Sequence, residues 1–181
     1  MIPENQRAKG IALSRLIAGI FAGMVFFVVV SAEVLAGVKI VNPSHGVARI
    51  KGESVGYYYY GAKIAADTKT SLLFKQGQCS IIDKNGRKYS KCWIHIAGGS
   101  AGLSVSQQAP IRMKTLGVGL DGRGSSSVVQ WNTLMVDGKD GAIEFGIPKG
   151  GYVVLNFLWE VPAGFSPGRM IIGDVIKMPL K

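Results

Sequence analysis

The feature that most constrains the fold is a succession of short β-prone runs that begins after residue 37 and continues to the C-terminus. Gly, Pro, Asn or Asp separates the runs, and this part of the sequence lacks the period of an amphipathic helix. Many short strands at such spacing are typical of a sandwich or a barrel, so we predict an all-β fold, an immunoglobulin-like antiparallel β-sandwich. The runs are GVARIK, VGYYYY, SLLF, CSIIDK, RKYSKCWIHI, GLSVS, IRMKTLGVGL, SSVVQWNTLMV, AIEFGI, YVVLNFLWEV and RMIIGDVIKM.

The N-terminus has a different composition. Three basic residues, Arg7, Lys9 and Arg15, precede fifteen apolar residues at 16–30. A basic flank, a short apolar run and then small residues are typical of a secretory signal peptide, whereas a membrane-spanning helix needs about 20 apolar residues. We therefore predict a signal-peptide helix, with an uncleaved membrane anchor as the alternative.

The segment SAEVLA contains two small-residue cleavage positions. Cleavage after Ala36 is favoured over cleavage after Ala32. The predicted organisation is then a signal peptide at 1–36 and a single β-sandwich domain at 37–181, a length that can bury a sizeable core unaided. The sequence shows no repeat, low-complexity tract or second domain.

The mature chain is expected to be strongly basic. The full chain has 21 basic and 11 acidic residues, and 1–36 holds three and two of them, which leaves 18 and 9 and a net charge of +9. Export argues against nucleic acid, so acidic glycans, anionic lipid headgroups or an acidic protein are the expected partners. The densest basic group, which is either a solvated hairpin face or a binding patch, consists of Lys84, Arg87, Lys88 and Lys91.

Cys79 and Cys92 are the two cysteines of the chain. Between them, Asn85-Gly86 favours a two-residue type I′ turn, and the resulting hairpin register places the cysteines directly opposite each other. At such a position the Cα atoms lie about 4.5 Å apart, which a disulfide can span. In an oxidising compartment we predict this disulfide, whose ring would contribute about 3 kcal/mol. Two inert thiols are the alternative.

Metal, cofactor and catalytic chemistry have little support in the sequence. Zinc needs four Cys or His ligands, and besides the cysteines the chain has His45 and His95. The twelve residues between the cysteines are too many for a thioredoxin-like motif. GVGLDG at 117–122 matches the glycine spacing of a dinucleotide site, but no helix is predicted after it. We expect no catalytic, cofactor-binding or metal-binding residue and no enzyme activity; a hydrolase with two carboxylates is left open.

Aromatic residues are predicted to fill the core. Trp93, Trp131 and Trp159 lie inside apolar runs and are interpreted as buried. In the run of four tyrosines at 57–60, alternate side chains would point to opposite faces of a strand, so one pair would pack inward and the other would be exposed. An exposed pair would suit sugar or partner binding, although ordinary strand residues are the favoured interpretation.

The C-terminal run GRMIIGDVIKMPLK has the alternation of one half-buried strand. Its apolar face consists of Ile172, Ile176, Met178 and Leu180. Gly168 is fourteenth from the C-terminus. With its leader, pilin-sized β-rich chain and predicted disulfide, the protein resembles subunits of bacterial fimbriae assembled by the chaperone-usher route, which often carry a glycine at this place followed by alternating apolar residues. Leu180 departs from the aromatic residue that is usual at the penultimate position.

This resemblance implies a mechanism of assembly. In the family an incomplete sandwich leaves a groove, which a periplasmic chaperone and then the N-terminal extension of the next subunit fill by β-strand addition. Gly168 and the strand at 169–180 would form one wall of the groove, and Val38 and Ile40 would alternate in the donor strand. The implied partners are the chaperone, an outer-membrane usher, neighbouring subunits and a host glycan or protein receptor.

Two functions are therefore predicted. The first is a structural or adhesive subunit of a surface fimbria, assembled by donor-strand complementation after transit through the periplasm. The alternative is a monomeric exported β-sandwich domain that binds an acidic glycan or protein partner. Neither involves nucleic acid, and both would meet the membrane during export only.

Overall fold

The fold was analysed in a computed structural model. It describes residues 33–34, 37–75, 77–105, 111–120, 128–136, 142–174 and 176–180. Within these ranges the chain is all-β with antiparallel strands and no helix, which confirms the predicted class. No helix long and apolar enough to cross a bilayer is found there. The predicted signal peptide at 1–36 lies outside the described residues, apart from Glu33 and Val34.

Fourteen strands occur in the described ranges, close to the predicted runs. They are β1 (Glu33–Val34), β2 (Val38–Ile50), β3 (Gly56–Ala66), β4 (Thr70–Lys75), β5 (Cys79–Asp83), β6 (Lys88–Tyr89), β7 (Cys92–Gly99), β8 (Gly102–Val105), β9 (Ile111–Leu120), β10 (Val129–Val136), β11 (Ala142–Ile147), β12 (Tyr152–Val161), β13 (Pro167–Ile172) and β14 (Ile176–Pro179).

These strands form three antiparallel sheets. Six of them close into a barrel in the order β10-β7-β12-β3-β2-β9. A five-stranded sheet has the order β1-β14-β13-β5-β6, and a three-stranded sheet has the order β4-β11-β8. In the barrel, β3 and β12 share ten register pairs, from Gly56↔Val161 to Ala65↔Tyr152.

Strands β3 and β12 bury side chains on both of their faces. On one face Tyr58, Tyr60 and Trp159 join a large apolar cluster that also contains residues of the two smaller sheets. On the other face Tyr57 and Leu158 join a second cluster, to which each of the six barrel strands contributes. The core therefore has two parts, one inside the barrel and one between the barrel and the other sheets.

This two-part core corrects the prediction for the tyrosine run at 57–60. All four tyrosines are at most 4% exposed, so no exposed pair exists. Alternation does send neighbouring side chains to opposite faces. Closure of the barrel then covers the face that an open sandwich sheet would leave to solvent. The predicted burial of Trp93, Trp131 and Trp159 is confirmed, since none is more than 7% exposed.

The hairpin between β5 and β6 has a different turn from the one predicted. Gly86 adopts a left-handed φ of 86°, but Asn85 does not have a positive φ. The N–H of Gly86 donates to the carbonyl of Asp83, and the N–H of Asp83 donates to the carbonyl of Arg87, both at 3.0 Å. This is a three-residue loop with a left-handed glycine rather than a two-residue type I′ turn. The extra loop residue moves the register by one position.

The C-terminal run is two strands rather than the single strand predicted. β13 and β14 pair with each other, with Ile172 opposite Ile176. The chain turns between them at Gly173, which has φ 54° and donates its N–H to the carbonyl of Gln78 at 3.0 Å. A left-handed residue ends an extended strand, and apolar alternation does not reveal it.

We predict that alkaline pH unfolds the protein through the buried tyrosines. Burial raises the pKa of Tyr57, Tyr58 and Tyr60 to about 12 from the ordinary value of 10.0. Because the folded-state pKa is the higher one, their contribution to stability is complete below pH 10 and is lost as the pH rises through 12. Tyrosinate absorbance at 295 nm and circular dichroism, followed together between pH 9 and 12.5, are expected to change in one transition.

Substitution of Tyr60 by Phe provides the matched variant. The Tyr60 hydroxyl is buried and has no hydrogen-bond partner among the residues that the structure describes, so Tyr60→Phe should keep the fold and raise the pH of alkaline unfolding. Tyr152→Phe, at a position 37% exposed, should leave that pH unchanged. Ionisation of all the tyrosines near pH 10 in a chain that stays folded would contradict the prediction.

Candidate functional site

The two cysteines are brought together by sheet packing and not by the hairpin. With the observed register, Ile81 faces Tyr89 and Ile82 faces Lys88, so the predicted opposition of Cys79 and Cys92 across that hairpin is wrong. Cys79 instead pairs with Ile172 within the five-stranded sheet, and Cys92 lies in the barrel. Both side chains are buried in the large cluster that lies between these two sheets.

The structure shows two free thiols that lie next to each other. Burial raises the pKa of the Cys92 thiol well above its ordinary value, and a hydrogen bond with Cys79 and the proximity of that thiol raise it further. The Cys92 thiol also donates to the Trp93 carbonyl at 3.8 Å. A protonated, buried thiol is a poor nucleophile, so this pair is suited to a structural role. The disulfide stays a prediction.

The residues predicted to line a subunit groove are covered by the chain itself. Ile172, Ile176 and Leu180 are at most 5% exposed, and Met178 packs against the same cluster. Gly168 lies in a bulge of β13, where a Cβ would come within 2.8 Å of the Asp83 carbonyl oxygen. A close backbone contact therefore requires glycine at this position.

The predicted donor segment is also part of the chain's own barrel. Val38 and Ile40 lie in β2, where they pair with Ala66 and Ile64 of β3. Val38 is buried, and Ile40 packs against the large cluster. Their role as a donor strand stays a prediction.

The basic hairpin has an ordered backbone. One carboxylate oxygen of Asp83 accepts hydrogen bonds from the N–H groups of Asn85 and Arg87, at 2.9 and 2.8 Å. The other accepts a hydrogen bond from the Tyr89 hydroxyl at 3.3 Å. The hydrogen bonds of the loop and of Tyr89 thereby satisfy the carboxylate of Asp83. The basic side chains therefore extend from a backbone that these hydrogen bonds hold in one conformation.

A row of aromatic rings attaches this hairpin to the rest of the molecule. Tyr89 meets Phe165 edge to face with 5.4 Å between ring centroids, and Phe165 meets Tyr58 in the same manner at 5.6 Å. The Tyr58 hydroxyl lies 2.7 Å from Nδ1 of His45. Edge-to-face pairs of this kind contribute about 0.5–1.5 kcal/mol each beyond their buried area. The row therefore fixes the position of the hairpin.

The four basic residues of the hairpin differ in their partners. Lys91 forms an ion pair with Glu160. The Arg87 guanidinium lies 5.5 Å from the Tyr89 ring centroid. Lys84 and Lys88 are exposed and form no ion pair with any residue that the structure describes. Lys84 and Lys88 therefore carry charges that no described residue pairs, and the Arg87 side chain in the same hairpin is also exposed.

Sheet pairing adds to Lys84, Arg87 and Lys88 a fourth exposed cation outside an ion pair, which the sequence did not reveal. Lys88 pairs with Ile82, and Ile82 pairs with Arg169 of β13, so Lys88 and Arg169 flank Ile82 on the same face of the sheet. With strands about 4.8 Å apart, their Cα atoms lie about 10 Å from each other. Arg169 is exposed and has no ion pair among the described residues. We call Lys84, Arg87, Lys88 and Arg169 the basic face.

The described residues offer no metal centre. No group of three or more His, Cys, Asp or Glu side chains lies close enough to hold an ion in the ranges given above. His45 and His95 lie on different strands with different partners, Tyr58 and Asn132. The glycine-rich segment at 117–122 is strand β9 as far as Leu120, and its last two residues lie outside the described ranges.

Comparison with known proteins identifies no relative: no protein family model matches the chain, and no curated protein or solved structure is significantly similar to it.

We predict that oxidation joins Cys79 and Cys92 and stabilises the protein. Intact mass and peptide mapping without reductant, applied to the exported protein, are expected to show the 79–92 cross-link. The native reduced protein should react slowly with an aromatic disulfide reagent, because both thiols are buried. Cys79→Ser should remove the cross-link and leave the Cys92 thiol slow to react in the folded protein. Fast reaction of both thiols in the native protein would contradict this burial.

Proposed function

We propose that this protein is an exported, immunoglobulin-like β-sandwich domain that binds an acidic glycan or an acidic protein through the basic face. The observation that supports this function best is that Lys88 of the β5–β6 hairpin and Arg169 of β13, which come from distant segments, flank Ile82 on one face of the sheet, with the exposed Lys84 and Arg87 in the same hairpin. The net charge of +9 predicted for the mature chain would also attract an acidic partner.

Several weak contacts must act together for such binding. An exposed ion pair contributes about 0.2–1 kcal/mol and is weakened by salt. A single anion would therefore bind poorly to any one of these side chains. A polymer with repeated negative charges contacts several cations at once, so an acidic glycan or an acidic protein segment fits the basic face better than a small anion.

The experiment removes three charges from the basic face. The triple variant Lys84→Gln, Lys88→Gln and Arg169→Gln should bind heparin, as a sulfated glycan, or poly-L-glutamate, as an acidic polypeptide, about tenfold more weakly in low salt, which corresponds to three exposed contacts. Affinity is measured by calorimetry or by surface plasmon resonance. The preferred polymer distinguishes a glycan partner from a protein partner.

A second triple variant tests whether the position of the charge matters. Lys69→Gln, Lys75→Gln and Lys149→Gln remove the same number of exposed charges from other surfaces, near the opposite end of β3 and on β4. This control should change the affinity by less than about twofold. If the two triple variants lost the same affinity, binding would depend on net charge and not on the basic face. Failure of the natural chain to bind either polymer would refute the proposal.

The edge of the five-stranded sheet favours the fimbrial subunit as a second candidate. On one side β14 pairs with β13, and on its other side the described residues pair it with β1 through Glu33↔Lys177 and Val34↔Ile176. Two register pairs supply few main-chain hydrogen bonds, so a longer strand from another subunit would replace them readily. This edge supports β-strand addition at β14.

Behaviour without partner proteins separates the two candidates. A self-sufficient binding domain is expected to leave the export pathway as a monomer, because its apolar faces are covered by its own strands. A fimbrial subunit without its chaperone would aggregate or take up a synthetic peptide of residues 37–50. Size-exclusion chromatography with light scattering, with and without that peptide, measures this difference. We expect a monomer and no uptake; polymers or peptide capture would favour the second candidate.

A further inference from the structure

A groove of about 460 Å³ opens between β7, β9 and β10. The ladder between β7 and β10 has two register pairs, Thr133↔His95 and Leu134↔Ile94. Beyond Ile94 and His95, β7 remains paired with β12 while β10 remains paired with β9, so the two strands diverge. The groove lies at this divergence, and its volume falls in the range of about 300–1,000 Å³ that is usual for small-molecule sites.

His95 is held in one orientation at the groove. Its ring stacks on Trp131 with 4.9 Å between ring centroids and an angle of 8° between the planes. Its Nδ1 lies 3.0 Å from the carbonyl oxygen of Asn132. A carbonyl oxygen only accepts hydrogen bonds, so Nδ1 carries the proton and Nε2 of the neutral ring is left as an acceptor. The groove therefore contains one fixed acceptor nitrogen.

Asn132 and Thr115 supply further hydrogen-bonding groups of known direction. The Thr115 hydroxyl donates to the Asn132 side-chain oxygen at 2.9 Å, which leaves the two amide hydrogens of Asn132 as donors. Thr115 is exposed, and its oxygen keeps lone pairs that can accept. Thr133 is 1% exposed and donates its hydroxyl to the Lys114 carbonyl at 2.7 Å, so it supports the wall of the groove and is not a ligand contact. Donors and acceptors are thus mixed along the groove.

The groove has little net charge and an apolar wall. The Lys114 ammonium is 2.7 Å from the carboxylate of Glu53, and this pairing lowers the pKa of Glu53, so the two charges offset each other. Met113 is 80% exposed, and Ile96 and Leu134 are half-buried beside it. These three side chains present an apolar surface next to the polar groups.

We propose that this groove binds a neutral saccharide. Each hydroxyl of a sugar both donates and accepts, which matches the mixture of Nε2 of His95, the amide of Asn132 and the Thr115 oxygen. The apolar wall provides a surface for the C–H face of a sugar ring. An anionic ligand would have to compete with Glu53 for Lys114, so charge complementarity does not favour it here. None of the residues that line this groove belongs to the basic face.

Nuclear magnetic resonance of the labelled, exported protein tests the site. The probes are maltose, cellobiose, lactose and N,N′-diacetylchitobiose, each added up to about 10 mM, which detects dissociation constants in the millimolar range. At least one of them should shift the His95 ring and the Asn132 side-chain amide signals in a saturable manner. The nitrogen spectrum of His95 in its neutral form should show the Nδ1–H tautomer before addition.

Variants and a charged probe make the outcome decisive. Asn132→Ala and Thr115→Val should each weaken binding of the active sugar about fivefold, the loss expected for a hydrogen bond. Asn85→Ala, at an exposed asparagine in the basic hairpin, and the basic-face triple variant should leave it unchanged. The inference would be overturned if none of the four sugars shifts the signals, if the His95 tautomer is Nε2–H, or if glucuronate binds more tightly than the neutral sugars.

Discussion

Burial of both faces of the β3–β12 pair is the constraint on which the rest of the structure depends. Ten register pairs join these strands, and large side chains leave them in both directions. A fully buried large apolar side chain contributes about 1.5–3 kcal/mol, so each face needs its own cover. The barrel closes over one face, and the two smaller sheets pack on the other. Tyr60 and Trp159 each bury a polar atom that has no hydrogen-bond partner in the described part of the chain, which costs about 1–3 kcal/mol and is offset by the area of their rings.

The basic face and the groove are consequences of this arrangement. The five-stranded sheet covers the outer face of β3 and β12, and it carries the β5–β6 hairpin beside β13. Arg169 thereby meets Lys88, although 80 residues separate them in the chain. Closure of the barrel forces β7 and β10 to meet over a short ladder only, and the groove lies where they part. One surface is cationic and suits a polymer, whereas the other has little net charge and suits a sugar.

Interactions between residues that are close in the sequence explain which predictions were confirmed. Strand alternation and turn residues act over a few positions, so the β class, the burial of the three tryptophans and the apolar face at Ile172 and Ile176 could be predicted. The hairpin turn could not, because Asn85-Gly86 is compatible with loops of two and of three residues. The Asp83 carboxylate, through its bonds to two loop N–H groups, favours the longer loop. The register of the hairpin shifts by one position as a result, so Cys79 and Cys92 no longer lie directly opposite each other across it.

Neighbouring residues set the succession of strands, the mixture of apolar and polar positions along each strand and the basic composition of the hairpin, so these features follow from the amino-acid sequence. Which surfaces are covered, and which residues from distant segments meet, depends on the packing of the folded chain. It buried all four tyrosines at 57–60, brought Cys79 to Cys92 between two sheets and placed Arg169 beside the hairpin. The physical reason is that strand pairing and sheet packing are set by contacts between segments far apart in the chain, which local alternation does not encode.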